Sequence, residues 1–391
     1  MRDVLLTGGT GVIGSALVPR LLECADVRLT LLLRAESESH LNDRGRELLH
    51  FCDVAESAVQ ERVRFVAGDV CKPNLGLAPE AHNWLTRNLT AVIHSAGNVK
   101  LNQPLDIARK NACQPISEVL ALARSCRNLR KVDVVTTIGV AGRMPGVVPE
   151  RRLTEQRQFH NTYEQAKAEA EDILWCAIDE GVPITIHRPS MVVGDSRTGK
   201  VASFQVFYYL TKFFRGENTW GLLPRLDGAT LDIVPVDYVA DAIALASKKG
   251  IGVGETWHLC SGPEFTLDLP ALRHMLANWA SCRGQGVRTT RELPRWCFRV
   301  GAKVAAAVTR GRVQRVLHGL PFFLEYMDIQ QSFSNASTRS VLSASGIDLP
   351  SPANYLNTVL DYHWNSTKHR AREPQSQPAK LHRLRSAPAK S

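Results

Sequence analysis

The run Thr7-Gly8-Gly9-Thr10-Gly11-Val12-Ile13-Gly14 joins a short apolar segment, Asp3 to Thr7, to a segment with helically spaced apolar residues, Ser15 to Cys24. It satisfies GxGxxG through Gly9, Gly11 and Gly14, and GxxGxxG through Gly8, Gly11 and Gly14. The chemistry needs glycine there. A side chain in the turn would keep a pyrophosphate from the backbone, and one at the last glycine would push helix from strand. The N-terminus of the helix then offers free N–H groups to the phosphates. Strand, turn and helix in that order give the motif its meaning, and a dinucleotide site at Gly8 to Gly14 is the expectation.

Working outward, apolar segments recur between helical ones. Val27–Leu33, Val63–Val66, Ala91–His94, Lys131–Thr136 and Pro183–His187 read as strands. A helical stretch is expected from the second strand to about Gln60, and another from Tyr163 to Ile178. Nearly continuous apolar strands alternating with helices imply an α/β Rossmann-type, doubly wound parallel sheet covered on both faces. After about Ser196 the pattern turns irregular. The expected division is a cofactor domain over 1–250 with substrate segments interleaved from about 195, a smaller substrate-binding region over 251–365, and a tail over 366–391. No internal repeat is visible.

The chain has 391 residues and a net charge of +10. From Ser366 onward seven lysines and arginines face one glutamate, Glu373, among Pro, Ser, Gln and Ala, so this tail is expected to be disordered. A solvated tail without a partner is the simplest reading; an acidic protein, a membrane surface or nucleic acid is the alternative. The remaining body is mildly basic, which suits anionic ligands. The nine cysteines are scattered without a CxxC pair, which argues against a disulfide framework and a structural zinc site. No secretory signal and no apolar run of about 18 residues is seen, so a cytoplasmic protein without a membrane span is expected.

The second strand ends at Arg34, where a cofactor lacking the 2′-phosphate usually meets Asp or Glu. A guanidinium fits a 2′-phosphate with paired hydrogen bonds, and Arg44 and Arg46 lie nearby in sequence, so NADPH is expected rather than NADH. Tyr163-Glu164-Gln165-Ala166-Lys167 places a phenol and an ammonium at i and i+4, on one helix face. A neighbouring ammonium should favour the tyrosinate and lower the tyrosine pKa. The preceding strand ends Thr136-Thr137-Ile138-Gly139; Thr137 is placed to bond a substrate oxygen beside Tyr163, with Thr136 the other choice.

Together these residues resemble the extended short-chain dehydrogenase/reductases, and within them the branch of thioester reductase domains and male sterility-type fatty acyl-CoA reductases. The resemblance spans roughly residues 1–360. Further segments support it. Gly68-Asp69-Val70 is similar to the adenine-contacting turn. His94-Ser95-Ala96-Gly97-Asn98-Val99 resembles His-x-Ala-Ala-x-Val, and Leu101 through Asn111 resembles the helix that follows. His187-Arg188-Pro189-Ser190-Met191-Val192-Val193-Gly194-Asp195-Ser196-Arg197-Thr198-Gly199 is the most specific segment, and Asp232 to Val239 resembles the branch's strand-to-helix junction. Gly97, Thr136 and Ser190 depart from the family's usual alanine, serine and glycine.

The resemblance implies catalysis by Thr137, Tyr163 and Lys167. It implies cofactor contacts from Gly8, Gly9, Thr10, Gly11, Val12, Ile13, Gly14, Arg34, Asp69, Val70, Ser95, Ala96, Gly97, Tyr163, Lys167, Pro189, Ser190 and Met191. The implied reaction is NADPH-dependent reduction of an acyl thioester to the aldehyde, with the alcohol as a second product. No adenylation or carrier segment is visible in the sequence, so the acyl group is expected on CoA or on a separate carrier protein. A keto- or hydroxysteroid-type dehydrogenase, a sugar-nucleotide epimerase and a non-catalytic NADP(H) sensor are the rivals; Arg34 speaks against the epimerase, and the intact Tyr163–Lys167 pair against the sensor. Phe204, Phe207, Tyr208, Tyr209, Phe213 and Phe214, with the basic, apolar stretch Trp296–Leu317 and Phe322, Phe323, Leu324 and Tyr326, suit either an acyl-chain lid, an interfacial helix or plain core packing.

Overall fold

The computed structural model describes residues 1–301, apart from 60, 102, 218, 220, 227, 286–288 and 299, and residues 330–372. Among these, β1 (Arg2–Thr7), β2 (Val27–Leu33), β3 (Val63–Ala67), β4 (Ala91–His94), β5 (Lys131–Val135), β6 (Ile184–Pro189) and β7 (Thr256–Leu259) form one sheet, entirely parallel. The spatial order is β3-β2-β1-β4-β5-β6-β7. The order reverses between β1 and β4, and ligands of such sheets bind in the crevice at the carboxyl ends beside that reversal.

Both faces of the sheet are covered, as the unbroken apolar strands require. Val4 and Leu6 of β1 face one way, packing with Leu17, Val18 and Leu21 of α1 (Val12–Leu22) and with Val239, Ile243 and Ala246 of a helix over Val236–Lys249. Leu5 faces the other way, with Leu85, Ile116, Val119 and Leu174. Those residues lie on α3 (Pro79–Asn88), α4 (Leu105–Ser125) and α5 (Thr162–Asp179). The period-2 alternation of a strand thus divides β1 between two layers. Each such fully buried Leu or Val contributes about 1.5–3 kcal/mol.

A third layer, the cap, stands over the carboxyl ends of the strands. Its core joins Phe207, Tyr208, Phe213 and Phe214 of α6 (Val206–Phe214) to Leu272, Leu276 and Trp279 of α8 (Leu269–Ser281) and to Tyr355, Leu356 and Val359 of α10 (Pro352–Arg372). The helix Val236–Lys249 is α7, and α9 spans Ala336–Ser343. Val12, the first residue of α1, belongs to this cap cluster, so the cap rests on the turn that opens α1. One excursion of the cap leaves after Met191–Val193 and returns at Ile233–Pro235, and these two segments pair with each other in parallel. Gln331–Phe333 likewise pairs with Gly146–Val148.

Several expectations change. The second helix, α2, spans Glu38–Phe51 and stops before Asp53, whose φ of 56° cannot continue a right-handed helix; only a short turn, Glu56–Val59, follows. β7 lies past residue 250 yet is a strand of the main sheet, and Leu342 of α9 packs in the β1 layer, so no division between sheet and cap falls at 250. Helix α10 continues through residues 366–372, where disorder was expected; residues 373–391 lie outside the described residues. Four of the aromatics offered as a lid, Phe207, Tyr208, Phe213 and Phe214, are cap core, Phe204 is partly buried against it, and Tyr209 faces solvent. Of the stretch from Trp296, Phe298 is buried and Trp296 and Val300 are exposed; Val304, Val308, Val313, Phe322, Phe323, Leu324 and Tyr326 lie outside the described residues.

Candidate active site

The glycine turn is closed by its own backbone. Gly8 has φ +76°, and a Cβ there would sit 2.5 Å from Ala96 N. A Cβ on Gly14 would sit 2.1 Å from Gly8 O. These are clashes with main chain, so neither position admits a side chain. Gly11 N donates to Gly8 O at 2.8 Å, and Gly11, the residue before α1, has no side chain to cap the first N–H groups of the helix. Open donors at a helix N-terminus, in a cradle that a Cβ would fill, fit the pyrophosphate of a dinucleotide. Gly9 instead lies over Leu31 and Leu48, where close packing of turn on sheet is the need.

Arg34 follows β2 directly and its side chain is exposed. Its carbonyl accepts a hydrogen bond from the buried Arg44 guanidinium, whose Nε has no partner. Burial, and then the charge of Arg34, hold Arg44 below the usual guanidinium range. Two cations therefore meet beyond the end of β2. Asp69 lies across the β2–β3 edge and its carboxylate caps the turn at Cys71 N, 3.0 Å away, with Val70 between them.

The end of β4 lines the other wall. Ser95 Oγ donates to Thr7 O at 3.2 Å, tying β4 to β1 across the reversal, and His94 Nδ1 lies 2.8 Å from Thr7 Oγ1. Burial and the Lys167 charge push His94 down to about 3, so the ring is neutral at physiological pH. Lys167 comes from α5, and a Cβ on Gly97 would sit 3.5 Å from its Nζ. Gly8, Ala96, Gly97 and Lys167 are thus contiguous, and an alanine at 97 would stand against the ammonium.

Helix α5 begins at Thr162 because Asn161 caps it, its side chain accepting from Glu164 N at 3.0 Å. Tyr163 and Lys167 therefore stand in its first two turns on one face. Burial lowers Lys167 to about 8; Cys113, whose own thiol burial pushes up, and the Glu171 carboxylate oppose that shift. Tyr163 corrects one expectation. Its pKa is raised, by burial first and then by the neighbouring Glu164 carboxylate, and no hydrogen bond joins it to Lys167 among the described residues. A phenol held protonated suits donation of a hydrogen bond rather than removal of a proton.

The two threonines separate cleanly. Thr136 is buried, its hydroxyl donating to Glu171 Oε2 at 3.1 Å. Thr137 is half-buried and its Oγ1 accepts from Gly139 N at 3.1 Å, opening a turn that packs on Glu164. Thr136 is thus engaged within the core, and Thr137 is the more exposed of the two.

Sequence reasoning missed the group beneath these residues. Arg188 is fully buried and meets Glu171 with two nitrogens, Nε at 3.0 Å from Oε2 and Nη2 on Oε1. Its Nη1 donates to Arg151 O at 3.1 Å and stands 3.1 Å from His258 Nε2. Trp175 Nε1 donates to Glu171 Oε1 at 3.4 Å. A signal was present: Tyr163, Lys167 and Glu171 follow at i, i+4 and i+8. Beyond Arg188, Pro189 ends β6, Ser190 N donates to Leu259 O at 3.0 Å, and Met191 pairs with Ile233.

The later part of the family-specific segment is structural. Asp195 accepts from Arg197 N at 3.0 Å, Thr198 N at 2.9 Å and Thr198 Oγ1 at 2.9 Å. Ser196 N donates to Asp237 at 2.8 Å, and Gly194 N donates to Tyr208 Oη at 3.0 Å. Gly199, at φ +72°, lies against Thr358 O of α10.

With this geometry in hand, comparison with known proteins places the chain. The profile of the family described as Male sterility protein matches residues 6–243. The chain belongs to this family. It is thereby a member of the extended short-chain dehydrogenase/reductases, nicotinamide-dependent oxidoreductases. Its fold has a TM-score of 0.76 to the terminal R domain from the myxalamid PKS-NRPS biosynthetic pathway, at 27% identity, covering 96% of this chain and 93% of that one. It is 30% identical over 249 residues to an isonitrile lipopeptide synthase of Streptomyces coeruleorubidus, covering 61% of this chain and 16% of that protein. It is 26% identical over 296 residues to the aldehyde reductase lnaA of Aspergillus flavus, covering 73% of this chain and 28% of that protein. The chain thus spans under a third of the length of these two curated relatives. Among the described residues no helix is long and apolar enough to cross a membrane, and no group of His, Cys, Asp and Glu could hold a metal ion.

Proposed function

We propose that this chain reduces an acyl thioester, carried on CoA or on a separate carrier protein, to the aldehyde with NADPH. The observation behind the proposal is Tyr163 and Lys167 on one face of α5, with the turn that Thr137 opens packed on Glu164 of the same helix, in a chain similar to reductase domains of synthetases. The pyrophosphate would be held by Gly8–Gly14 and the start of α1, and the adenine by Asp69 and Val70. Arg34, with Arg44 behind it, would take the 2′-phosphate. Ser95, Ala96, Gly97, Pro189, Ser190 and Met191 would wall the remainder, and Lys167 would bond the nicotinamide ribose. Bound NADPH supplies the reducing equivalent.

The protein's own work is electrostatic. Thr137 Oγ1 and Tyr163 Oη donate hydrogen bonds to the thioester oxygen, where charge collects as the carbon turns tetrahedral. One C–H bond forms, the C–S bond then breaks, and the thiol leaves with a proton as the aldehyde forms. A further two-electron step would give the alcohol. Nine free cysteines fit the cytoplasm as the proposed compartment.

The test is a panel of acyl-CoA and carrier-bound thioesters with NADPH, following cofactor oxidation and identifying products. Turnover of a ketone or nucleotide sugar with none of any thioester would overturn the proposal. Tyr163→Phe should cut turnover about 10²–10⁴-fold while NADPH still binds. Arg34→Ala should weaken NADPH about 10–100-fold, the loss of a charge-assisted pair, and leave NADH unchanged; equal wild-type affinity for the two cofactors would remove NADPH from the proposal.

A further inference from the structure

We propose that Glu171 and Arg188 are positioning residues that hold Thr137, Lys167 and the Pro189–Met191 wall in one register. The inference concerns how the proposed site is built, and it rests on that reading for the roles of Thr137 and Lys167.

Three segments carry the site, and each comes from a different element: the end of β5, the face of α5, and the end of β6. A single buried ion pair touches all three. Glu171 lies one helical turn beyond Lys167. It takes the Thr136 hydroxyl at 3.1 Å, which fixes the strand end immediately before Thr137. It takes two nitrogens of Arg188, which fixes the strand immediately before Pro189. Arg188 in turn reaches Arg151 O and His258 of β7, so the pair is braced from the loop after β5 and from the next strand. The donors around the carboxylate include Trp175 Nε1 at 3.4 Å.

Such a pair is a costly way to add stability. Burying two charges roughly cancels their attraction, whereas removing one partner is severe. What a bidentate guanidinium–carboxylate pair supplies is fixed geometry. Sub-ångström placement of the donors around a reacting carbonyl is where fixed geometry acts on rate.

Glu171 also faces Lys167 as a charge. The other titratable groups that face this ammonium are Cys113 from α4 and His94 from β4, and His94 is neutral. Glu171 thus helps Lys167 stay charged against burial. Loss of its charge should let Lys167 lose its proton at lower pH.

The decisive measurement is NADPH binding, by cofactor fluorescence, as a function of pH, which needs no thioester turnover. In the wild type, affinity should fall with a midpoint near 8. In Glu171→Gln the midpoint should move down by about one unit, with affinity about twofold weaker at pH 7 and about tenfold weaker above pH 9. Glu171→Gln strands Arg188 and could fail to fold, so Thr136→Val serves as the second variant. It removes one donor and leaves the ion pair intact. It should lower kcat about tenfold at unchanged KM for any carbonyl substrate the enzyme reduces, with unchanged NADPH affinity. A Glu171→Gln midpoint equal to wild type, or a Thr136→Val enzyme with wild-type kcat, would overturn the proposal and leave the pair as packing. A shifted midpoint in an enzyme that reduces no thioester would refute the proposed substrate and sustain the positioning role.

Discussion

Two turns at the carboxyl end of this sheet are each closed by a pair of glycines pressed on main chain. In the first, Gly14 presses on Gly8 O and Gly8 on Ala96 N; in the second, Gly194 presses on Gly199 O and Gly199 on Thr358 O. A Cβ would clash with main chain at 2.1–2.5 Å in all four places. The difference is what occupies the donors. Asp195 fills the second turn with its own carboxylate, taking Arg197 N, Thr198 N and the Thr198 hydroxyl. The first turn has no such residue, and its helix opens on the bare Gly11. A turn that supplies its own anion is architecture; one that leaves its donors open is a binding site for someone else's anion.

That contrast can be broken by substitution. Gly14→Ala should cost at least about a hundredfold in NADPH affinity, since the helix must move off the turn that meets the pyrophosphate. Gly199→Ala meets an equal clash, against α10, and should instead lower stability by about 2–3 kcal/mol. Its NADPH affinity should match wild type; isothermal titration beside chemical denaturation separates the two. If Gly199→Ala weakens NADPH as much as Gly14→Ala, the distinction between the turns fails. Asp195→Ala, which empties the second turn, should cost about 0.5–1.5 kcal/mol in the same denaturation assay by removing hydrogen bonds whose donors water can partly satisfy, again without a change in affinity.

The smallest expected effect is on acid stability. His94 is held neutral in the fold, down to about 3, but titrates near its ordinary value when unfolded. A depressed folded pKa gives stability that is fully present above about 6.5 and lost as pH falls toward 3. The urea midpoint should therefore drop between pH 7 and pH 5, and His94→Gln should flatten that drop. An unchanged slope would remove His94 from the account.

Legibility followed the range of the interactions. The first six strands and the first turn were readable because their signals are local: apolar runs, glycines at fixed spacing, a phenol and an amine four residues apart. β7 was not, since Thr256-Trp257-His258-Leu259 has no period and becomes a strand only by pairing with β6. That Thr136 is engaged within the core was not readable, because its partner, the Glu171 carboxylate, lies 35 residues away. The cap aromatics were ambiguous for the same reason, because a core and a lid share one composition. The tyrosine pKa was read with the wrong sign; the ammonium was visible in sequence, and the desolvation that outweighs it was not.

One excursion of the cap begins and ends on two segments, Met191–Val193 and Ile233–Pro235, that are bonded to each other. Its ends are therefore clasped whatever lies between them. The entropy of closing such a loop grows only with the logarithm of its length, about 0.6 kcal/mol per doubling. Descendants of this chain can lengthen, shorten or exchange that excursion at little thermodynamic cost while the clasp and the crevice below stay as they are.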